Sequence, residues 1–423
     1  WSQTNSFDLT WNNPNPADTS TIAGVWYKIG DAPTGNDDGT YVAGADIETT
    51  TVSAPAEGQY TVYVWLQDGS GRHSKDNEAT VDIKYDTTAP SAPTVISSTH
   101  EVADNYYSNN DPALDWAGLS DTSGILGYSY SINQTPTSIP DTELEPAGTS
   151  ISYSDYADGT WYFHIKAKNG SGLWSATTHR TIKIDSSIPS SSVSVSGAYD
   201  RSGTINVSIA TLTASPSGVQ DVDLYVRYDA NGDRDYTDGD LNEFDWTNQN
   251  LAATSNVVGE VFTFNPLNRD GWYQFYSLAQ NTAGTWESAP VSADASIIYD
   301  NTDPTTVVVS SSSHGVDEWD VDDDIVLSWT ASTDVTSGFD EYYYVLDESS
   351  STVPTSASSK TTSTTYTASN LEDGDSYWFH IVPVDNAGNA DNVAHYGPFK
   401  IDTTDPEIDH TAVSEAYTGD SIQ

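Results

Sequence analysis

One ending occurs four times along this chain. The segments EGQYTVYVWLQDGSGRHSKDNEATVDIKYDTTAP, DGTWYFHIKAKNGSGLWSATTHRTIKIDSSIP, DGWYQFYSLAQNTAGTWESAPVSADASIIYDNTDP and DGDSYWFHIVPVDNAGNADNVAHYGPFKIDTTDP follow one plan. Each has an acidic residue before Gly, an alternating run, an Asp/Asn-x-x-Gly turn, a second run and then Asp-x-x-x-Pro. The leading glycines are Gly58, Gly159, Gly271 and Gly374, so successive repeats lie 101, 112 and 103 residues apart. A period of that length is one small domain per repeat, and each domain must bury its own core.

The runs between these markers alternate polar and apolar residues and are rich in Tyr, Trp, Val and Ile, as in YTVYVWLQD, YSYSIN and YYYVLD. That period of two, bounded by Gly, Pro, Asn, Asp and Ser, predicts short strands and no long amphipathic helix. The front of each repeat is also shared. DTSTIAGVWYKI, DTSGILGYSYSI, SPSGVQDVDLYVRY and DVTSGFDEYYYVL each lead from a polar turn into a Tyr-rich strand. Three repeats place a Trp-ended strand before it (FDLTW, ALDW, IVLSW), and the third has INVSI.

On these motifs the chain resembles the tandem immunoglobulin-like and fibronectin type III-like domains of secreted bacterial and archaeal surface proteins. The resemblance covers nearly the whole chain and implies an all-β tandem array of four sandwiches. It implies fibronectin III-like sandwiches at 1–89 (lacking its first strand), 90–188 and 304–405. It implies an immunoglobulin-like sandwich with an acidic insertion at 189–303, and a C-terminal strand segment at 406–423. Such modules serve as spacers, adhesins, lattice subunits and enzyme appendages, so function has to come from sites.

The two ends do not match. Trp1 aligns with Trp319, so the first repeat is expected to lack its first strand, while DPEIDHTAVSEAYTGDSIQ resembles the opening of a fifth. Two readings follow. Either the chain is an excerpt of a longer array, or its last strand completes the first sandwich of a neighbouring copy. Strand addition of the second kind covers an open edge with backbone hydrogen bonds and, repeated head to tail, builds an open filament.

Charge narrows the partners. There are 62 Asp and Glu against 14 Lys and Arg, a net charge of −48. That field repels phosphate backbones and anionic lipid, so nucleic acid and direct membrane insertion are not expected. Cations, cationic partners or a salty medium fit better. With no cysteine there is no disulfide and no thiolate chemistry. With no methionine, residue 1 is not a translation start, and the chain is expected to be a mature product or a piece of one. These residues contain no apolar run long enough to span a bilayer and no signal-peptide pattern, so any export or anchoring signal is expected to have been removed or to lie outside them.

Catalysis is not expected. His164 and His380 sit in matching FHI strands, and His100, His314 and His410 near matching repeat starts, so they do not converge on one site. No nucleophile elbow, zinc-protease helix or phosphate loop occurs. Aromatic stripes such as Trp161/Phe163/Ile165 and Trp378/His380 are expected to fill cores, with sugar stacking as the alternative. Asp86, Asp185, Asp300 and Asp402 close each repeat before its linker. Their bland role is to bond nearby backbone N–H groups; their sharper role is calcium held between domains. Asp68, Asn169, Asn281 and Asp385 open the turns that glycine closes. Asn133, Asn169 and Asn206 lie in N-x-S/T sequons.

One segment is not repeated. YDANGDRDYTDGDLNEFD, residues 228–245, holds seven acidic residues and one arginine. Asp229, Asn231, Asp233 and Asp235 alternate as oxygen ligands, with Asp238 beyond them and Asp240 at position 12 counted from Asp229. The pattern resembles the EF-hand calcium loop. It departs from it with Gly232 at position 4, Asp rather than Glu at position 12, and no flanking helices. A hairpin loop with a partial Asp-rich calcium site is expected. The whole is read as an extracellular, cell-surface structural protein: a filament, sheath or surface-layer subunit that self-associates. An adhesin stalk that binds cell-surface glycans and an accessory region of a secreted hydrolase are the alternatives.

Overall fold

The computed structural model describes residues 1–14, 20–117, 119–213, 215–236, 243–252 and 256–409. The regular structure among them is strand, apart from one 3-10 turn at Lys75–Asn77. The chain forms four immunoglobulin-like sandwiches in tandem.

Sandwich one contains β1 (Phe7–Thr10), β2 (Ile22–Ile29), β3 (Thr40–Ala43), β4 (Thr49–Val52), β5 (Gly58–Asp68) and β6 (Ala79–Tyr85). Its sheets are β1-β4 and β3-β2-β5-β6. Sandwich two contains β7 (Val95–Ser97), β8 (Tyr106–Tyr107), β9 (Ala113–Trp116), β10 (Ile125–Asn133), β11 (Ser150–Ser152), β12 (Gly159–Asn169) and β13 (Thr178–Ile184). Here the sheets are β11-β9-β7 and β10-β12-β13-β8.

Sandwich three contains β14 (Ser190–Val195), β15 (Tyr199–Asp200), β16 (Ile205–Thr213), β17 (Val219–Asp229), β18 (Phe244–Ala252), β19 (Val261–Phe264), β20 (Gly271–Asn281) and β21 (Ala295–Tyr299). They pair as β14-β16-β19 and β15-β21-β20-β17-β18. Sandwich four contains β22 (Val309–Ser311), β23 (Trp319–Asp320), β24 (Ile325–Trp329), β25 (Phe339–Asp347), β26 (Ser359–Thr361), β27 (Thr365–Ala368), β28 (Gly374–Asp385) and β29 (Ala394–Ile401). They pair as β22-β24-β27 and β23-β29-β28-β25-β26. In sandwiches two to four the first strand pairs with the small sheet. The chain then crosses to lie parallel to the last strand of the large sheet.

The alternation read from sequence is the alternation that packs. Along β12, Phe163, Ile165 and Ala167 are fully buried, and along β17, Val222, Leu224, Val226 and Tyr228 are buried. The Trp-ended strands bury Trp116 and Trp329 against Tyr128 and Tyr342, and Ile209 fills that role in sandwich three. By contact the chain forms two compact units. One is Trp1–Ile188 with the turns Ala214–Gly218 and Asn281–Thr285; the other is Pro189–Thr213, Val219–Gln280 and Trp286–Gln423.

Candidate metal centres and the junction motif

The acidic loop leaves the end of β17. Asp229 is buried, and its carboxylate accepts the backbone N–H groups of Asn231 (3.1 Å), Gly232 (2.5 Å) and Arg234 (2.9 Å). Asn231 and Asp233 continue the same turn chemistry, accepting from Asp233 N and Asp235 N. Glu243 closes the loop by accepting from Ala230 N at 2.7 Å. A carboxylate has about four lone-pair sites, so three N–H donors order Asp229 without exhausting it. Arg227 stacks on Tyr236 and Trp246 beside the loop. Asp238 and Asp240, two of the six expected ligands, lie outside the described residues.

The junctions between sandwiches are built to one plan that uses three recurring positions. The first is the turn residue. Asp68, Asn169, Asn281 and Asp385 each accept the N–H of the residue four later through Oδ1, at 2.8–2.9 Å. The glycine between sits at φ of 84 to 93°. The second is the acidic residue before the central strand. Glu57, Asp158, Asp270 and Asp373 each accept the N–H of the residue after the linker Asp, a role for which spacing in sequence carries no signal.

The third position is the linker Asp itself. Asp86, Asp185, Asp300 and Asp402 each accept from the N–H two residues on. Asp86, Asp185 and Asp300 are fully buried, whereas Asp402, with no further described sandwich beyond it, is exposed. The second oxygen of each buried Asp is taken by the sandwich that follows. Asp86 Oδ2 accepts from Asn169 Nδ2 at 2.9 Å. Asp185 Oδ2 accepts from Ser217 N at 3.1 Å and from the Ser215 and Ser217 hydroxyls. Asp300 Oδ2 accepts from Ser337 N at 3.0 Å. Amides complete the latch: Asn169 donates to Thr88 O, Asn281 to Ser187 O, and Asn389 to Asp300 O. The bland role expected of the linker Asp is present in all four repeats.

At the junction of sandwiches three and four the plan changes. Asp300, Asp334 and Asp385 place one carboxylate oxygen each within 4.8 Å of the others. Asp334 Oδ1 accepts the N–H groups of Thr336, Ser337 and Gly338. Asp385 accepts from Asn389 N and Nδ2. At an effective dielectric of about 20, each such pair of charges repels by roughly 3 kcal/mol. Burial raises the Asp300 carboxyl above its ordinary value, and Asp334 and Asp385 push the same way. Burial raises Asp385 likewise.

Two histidine pairs lie elsewhere. His164 Nδ1 is 2.7 Å from His179 Nδ1, and His380 Nδ1 is 2.6 Å from His395 Nδ1. His164 and His380 are fully buried. Burial lowers His164, with His179 adding to it, and burial lowers His395, with His380 adding to it. Of the aromatic stripes, Phe163, Ile165 and His380 are core, while Trp161 is half-buried with Nε1 donating to Ala157 O. The Asn169 sequon is fully buried with both amide hydrogens committed, so it is closed to glycosylation in the folded chain.

Sandwich one carries a groove of about 550 Å³ whose lining includes Trp11, Ile22, Arg72, Ser74 and Ala79. In register, Ala79 matches Thr178, whose hydroxyl donates to Pro93 O at 2.6 Å. Ser74 matches Glu287, which accepts from Ser191 N at 2.8 Å. Pro93 and Ser191 belong to the run of the first strand. The groove therefore occupies the place that the first strand covers in sandwiches two and three, and the small sheet here has two strands instead of three.

No family model matches the chain. Over 182 residues it is 28% identical to chitinase A1 of Niallia circulans, a match that covers 41% of this chain and 23% of that protein. The FN1–FN3 domains of chicken CNTN1 align over 74% of this chain and 100% of theirs, at 15% identity and a TM-score of 0.29. The chain thus spans less than a quarter of the length of the curated relative it matches.

Proposed function

We propose that this chain is an extracellular structural protein, a subunit of a cell-surface filament, sheath or surface layer. In this reading each copy adds a strand to sandwich one of the next. The observation that carries it is the groove over Ser74 and Ala79 beside the two-stranded sheet of sandwich one. An open sheet edge next to a groove lined by apolar Trp11 and Ile22 and by polar Arg72 and Ser74 is read as the receptor half of strand addition. Residues 406–423, which resemble a first strand in sequence, are the donor half. Contacts repeated head to tail do not close, so they propagate. The latched junctions supply the stiffness that a load-bearing array needs. The Asp229 loop belongs to the same reading, as a calcium site that stiffens a hairpin.

Negative-stain imaging of the purified chain tests this. Filaments are expected, and a synthetic peptide of residues 406–423 in excess should shorten them by occupying sandwich one. Monomers alone at every protein and calcium concentration would overturn it.

The similarity to chitinase A1 favours a second reading, an accessory region of a secreted hydrolase. The complete open reading frame decides it: a catalytic domain beside these sandwiches, together with retention of the chain on chitin, supports the accessory role.

A further inference from the structure

We propose that Asn133 is an N-glycosylation acceptor of the folded chain, taking a sugar through its side-chain nitrogen, and that the sequons at Asn169 and Asn206 are closed. The inference needs the chain to be exported and does not depend on filament formation.

An N-x-S/T sequon is modified where its asparagine sits on an accessible loop and its amide nitrogen is free. The fold separates the three sequons on these two conditions. Asn169 fails both: it is fully buried, and its amide donates to Asp86 Oδ2 and Thr88 O. Asn206 is exposed, yet it lies inside β16, the middle strand of its sheet. Asn206, Val207 and Ser208 pair with Thr263, Phe262 and Val261 on one side, and Val207 and Ser208 pair with Val195 and Ser194 on the other. Bending that segment into a transferase would break ladder hydrogen bonds on both sides.

Asn133 meets both conditions. It is the last residue of β10, and Gln134 and Thr135 after it are exposed. The chain has already turned there. Thr135 N donates to Asn133 Oδ1 at 2.8 Å, an Asx turn that brings together the amide and the threonine of the sequon. The Ser138 hydroxyl donates to the same oxygen at 3.2 Å, and His164 Nε2 faces it at 3.4 Å. Two donors on one atom identify it as the carbonyl oxygen, which leaves Nδ2 on the other side of the amide. Among the described residues, Nδ2 takes part in no hydrogen bond. It is not a buried unpaired atom either, so water reaches it.

The contacts on the oxygen bear on the chemistry. In transfer, Nδ2 bonds to the anomeric carbon of a sugar carried on a lipid phosphate or diphosphate. The bond from that carbon to the phosphate oxygen breaks, and the phosphate leaves with the electron pair. The amide proton passes to a base of the transferase. As it leaves, negative charge collects on Oδ1, where the Thr135 N–H and the Ser138 hydroxyl already point. Donors placed where charge develops favour such a step. Ser138 is therefore a positioning residue that lies outside the sequon.

The test is peptide mapping by mass spectrometry of the full chain. One sample is isolated from its own cells; another is unglycosylated folded chain incubated with an oligosaccharyl transferase and a lipid-linked sugar. A glycan is expected on the peptide that carries Asn133, and on neither Asn169 nor Asn206. Pro136 restricts the backbone of Thr135, so occupancy should be partial. Synthetic peptides spanning Asn169 and Asn206, freed from the fold, should be modified by the same transferase. Thr135→Ala should abolish transfer to Asn133. Ser138→Ala leaves the sequon intact and should slow transfer about fivefold, the factor that one neutral hydrogen bond is worth; Ser138→Thr should restore the rate. An unmodified Asn133 in the native chain, or modification of Asn206 in the folded chain at the same rate as Asn133, would overturn the proposal. An unchanged rate in Ser138→Ala would overturn the positioning role.

Discussion

Asn169 Nδ2 lies 2.9 Å from Asp86 Oδ2, so the turn of one sandwich closes onto the linker carboxylate that ends the one before. Both residues are fully buried. A buried carboxylate is tolerated only when its oxygens are satisfied, and here the next domain supplies the donor. The linker Asp is therefore a coupling device: its first oxygen shapes the chain locally and its second reads whether the following sandwich is docked.

Asn169→Ala should remove both latch bonds and leave Asp86 Oδ2 unpaired. A loss of about 1–3 kcal/mol is expected, read as a lower melting temperature of the first two sandwiches in calorimetry. Asn169→Asp should cost more in the absence of divalent cations, because it faces one buried carboxylate with another. An unchanged melt in both variants would contradict the latch.

Glycine to alanine exchanges should separate turn strain from close approach. Gly284 has φ of 88° with open space around a Cβ, so Gly284→Ala should cost about 1–2 kcal/mol from backbone strain alone. Gly271 has φ of 149°, and a Cβ there would meet Asp229 O and Tyr228 Cε2 at 2.6 Å. Gly271→Ala should cost about 3 kcal/mol or more and disturb the acidic loop. Urea melts of the two variants give the comparison.

The histidine pairs predict acid sensitivity. Folding holds the His164 and His395 imidazoles below their ordinary value. The unfolded chain therefore takes the proton first. Their contribution is complete above about pH 6.5 and is lost as pH falls through the lowered folded values. Melting temperatures between about pH 7.5 and 5.5 should fall with pH. Replacing His179 and His395 by Gln should flatten that slope.

The acidic cluster predicts the opposite sign. Folding raises Asp300 and Asp385, so without a cation the folded chain takes protons first. Its stability should then rise as pH drops from neutral toward the ordinary Asp value of about 3.9. The difference between the parent and Asp385→Asn in chelator, measured across that range, isolates this term. A difference that does not shrink on acidification would show that these groups are not repelling one another.

In the acidic loop, Asp229 and Asp233 are expected to behave differently. Asp229 is buried under three backbone N–H groups, so Asp229→Ala should destabilise sandwich three with or without calcium, by about 1–3 kcal/mol. Asp233 is exposed, and Asp233→Ala should matter only when calcium is present. Melts with and without chelator read both; a calcium response untouched by Asp233→Ala would remove this loop as the site.

How much of this was legible from the residues divides along a physical line. Strand order and core faces follow from local rules. A period of two places Phe163, Ile165 and Ala167 inward whatever surrounds them, and an Asp or Asn four residues before an N–H makes the same turn at positions 68, 169, 281 and 385. The repeat also marked the linker carboxylates. What the sequence does not carry is convergence. The linker, front-loop and turn positions lie tens of residues apart, and each is unremarkable alone. Compared across repeats, they read Asp86/Asp121/Asn169, Asp185/Ser215/Asn281 and Asp300/Asp334/Asp385. Only the last set is acidic throughout, and only docking of sandwich four brings its members within 4.8 Å. The same holds for the burial of Asp86, which is set by the sandwich that packs next, through Asn169 83 residues on, and not by the residue itself.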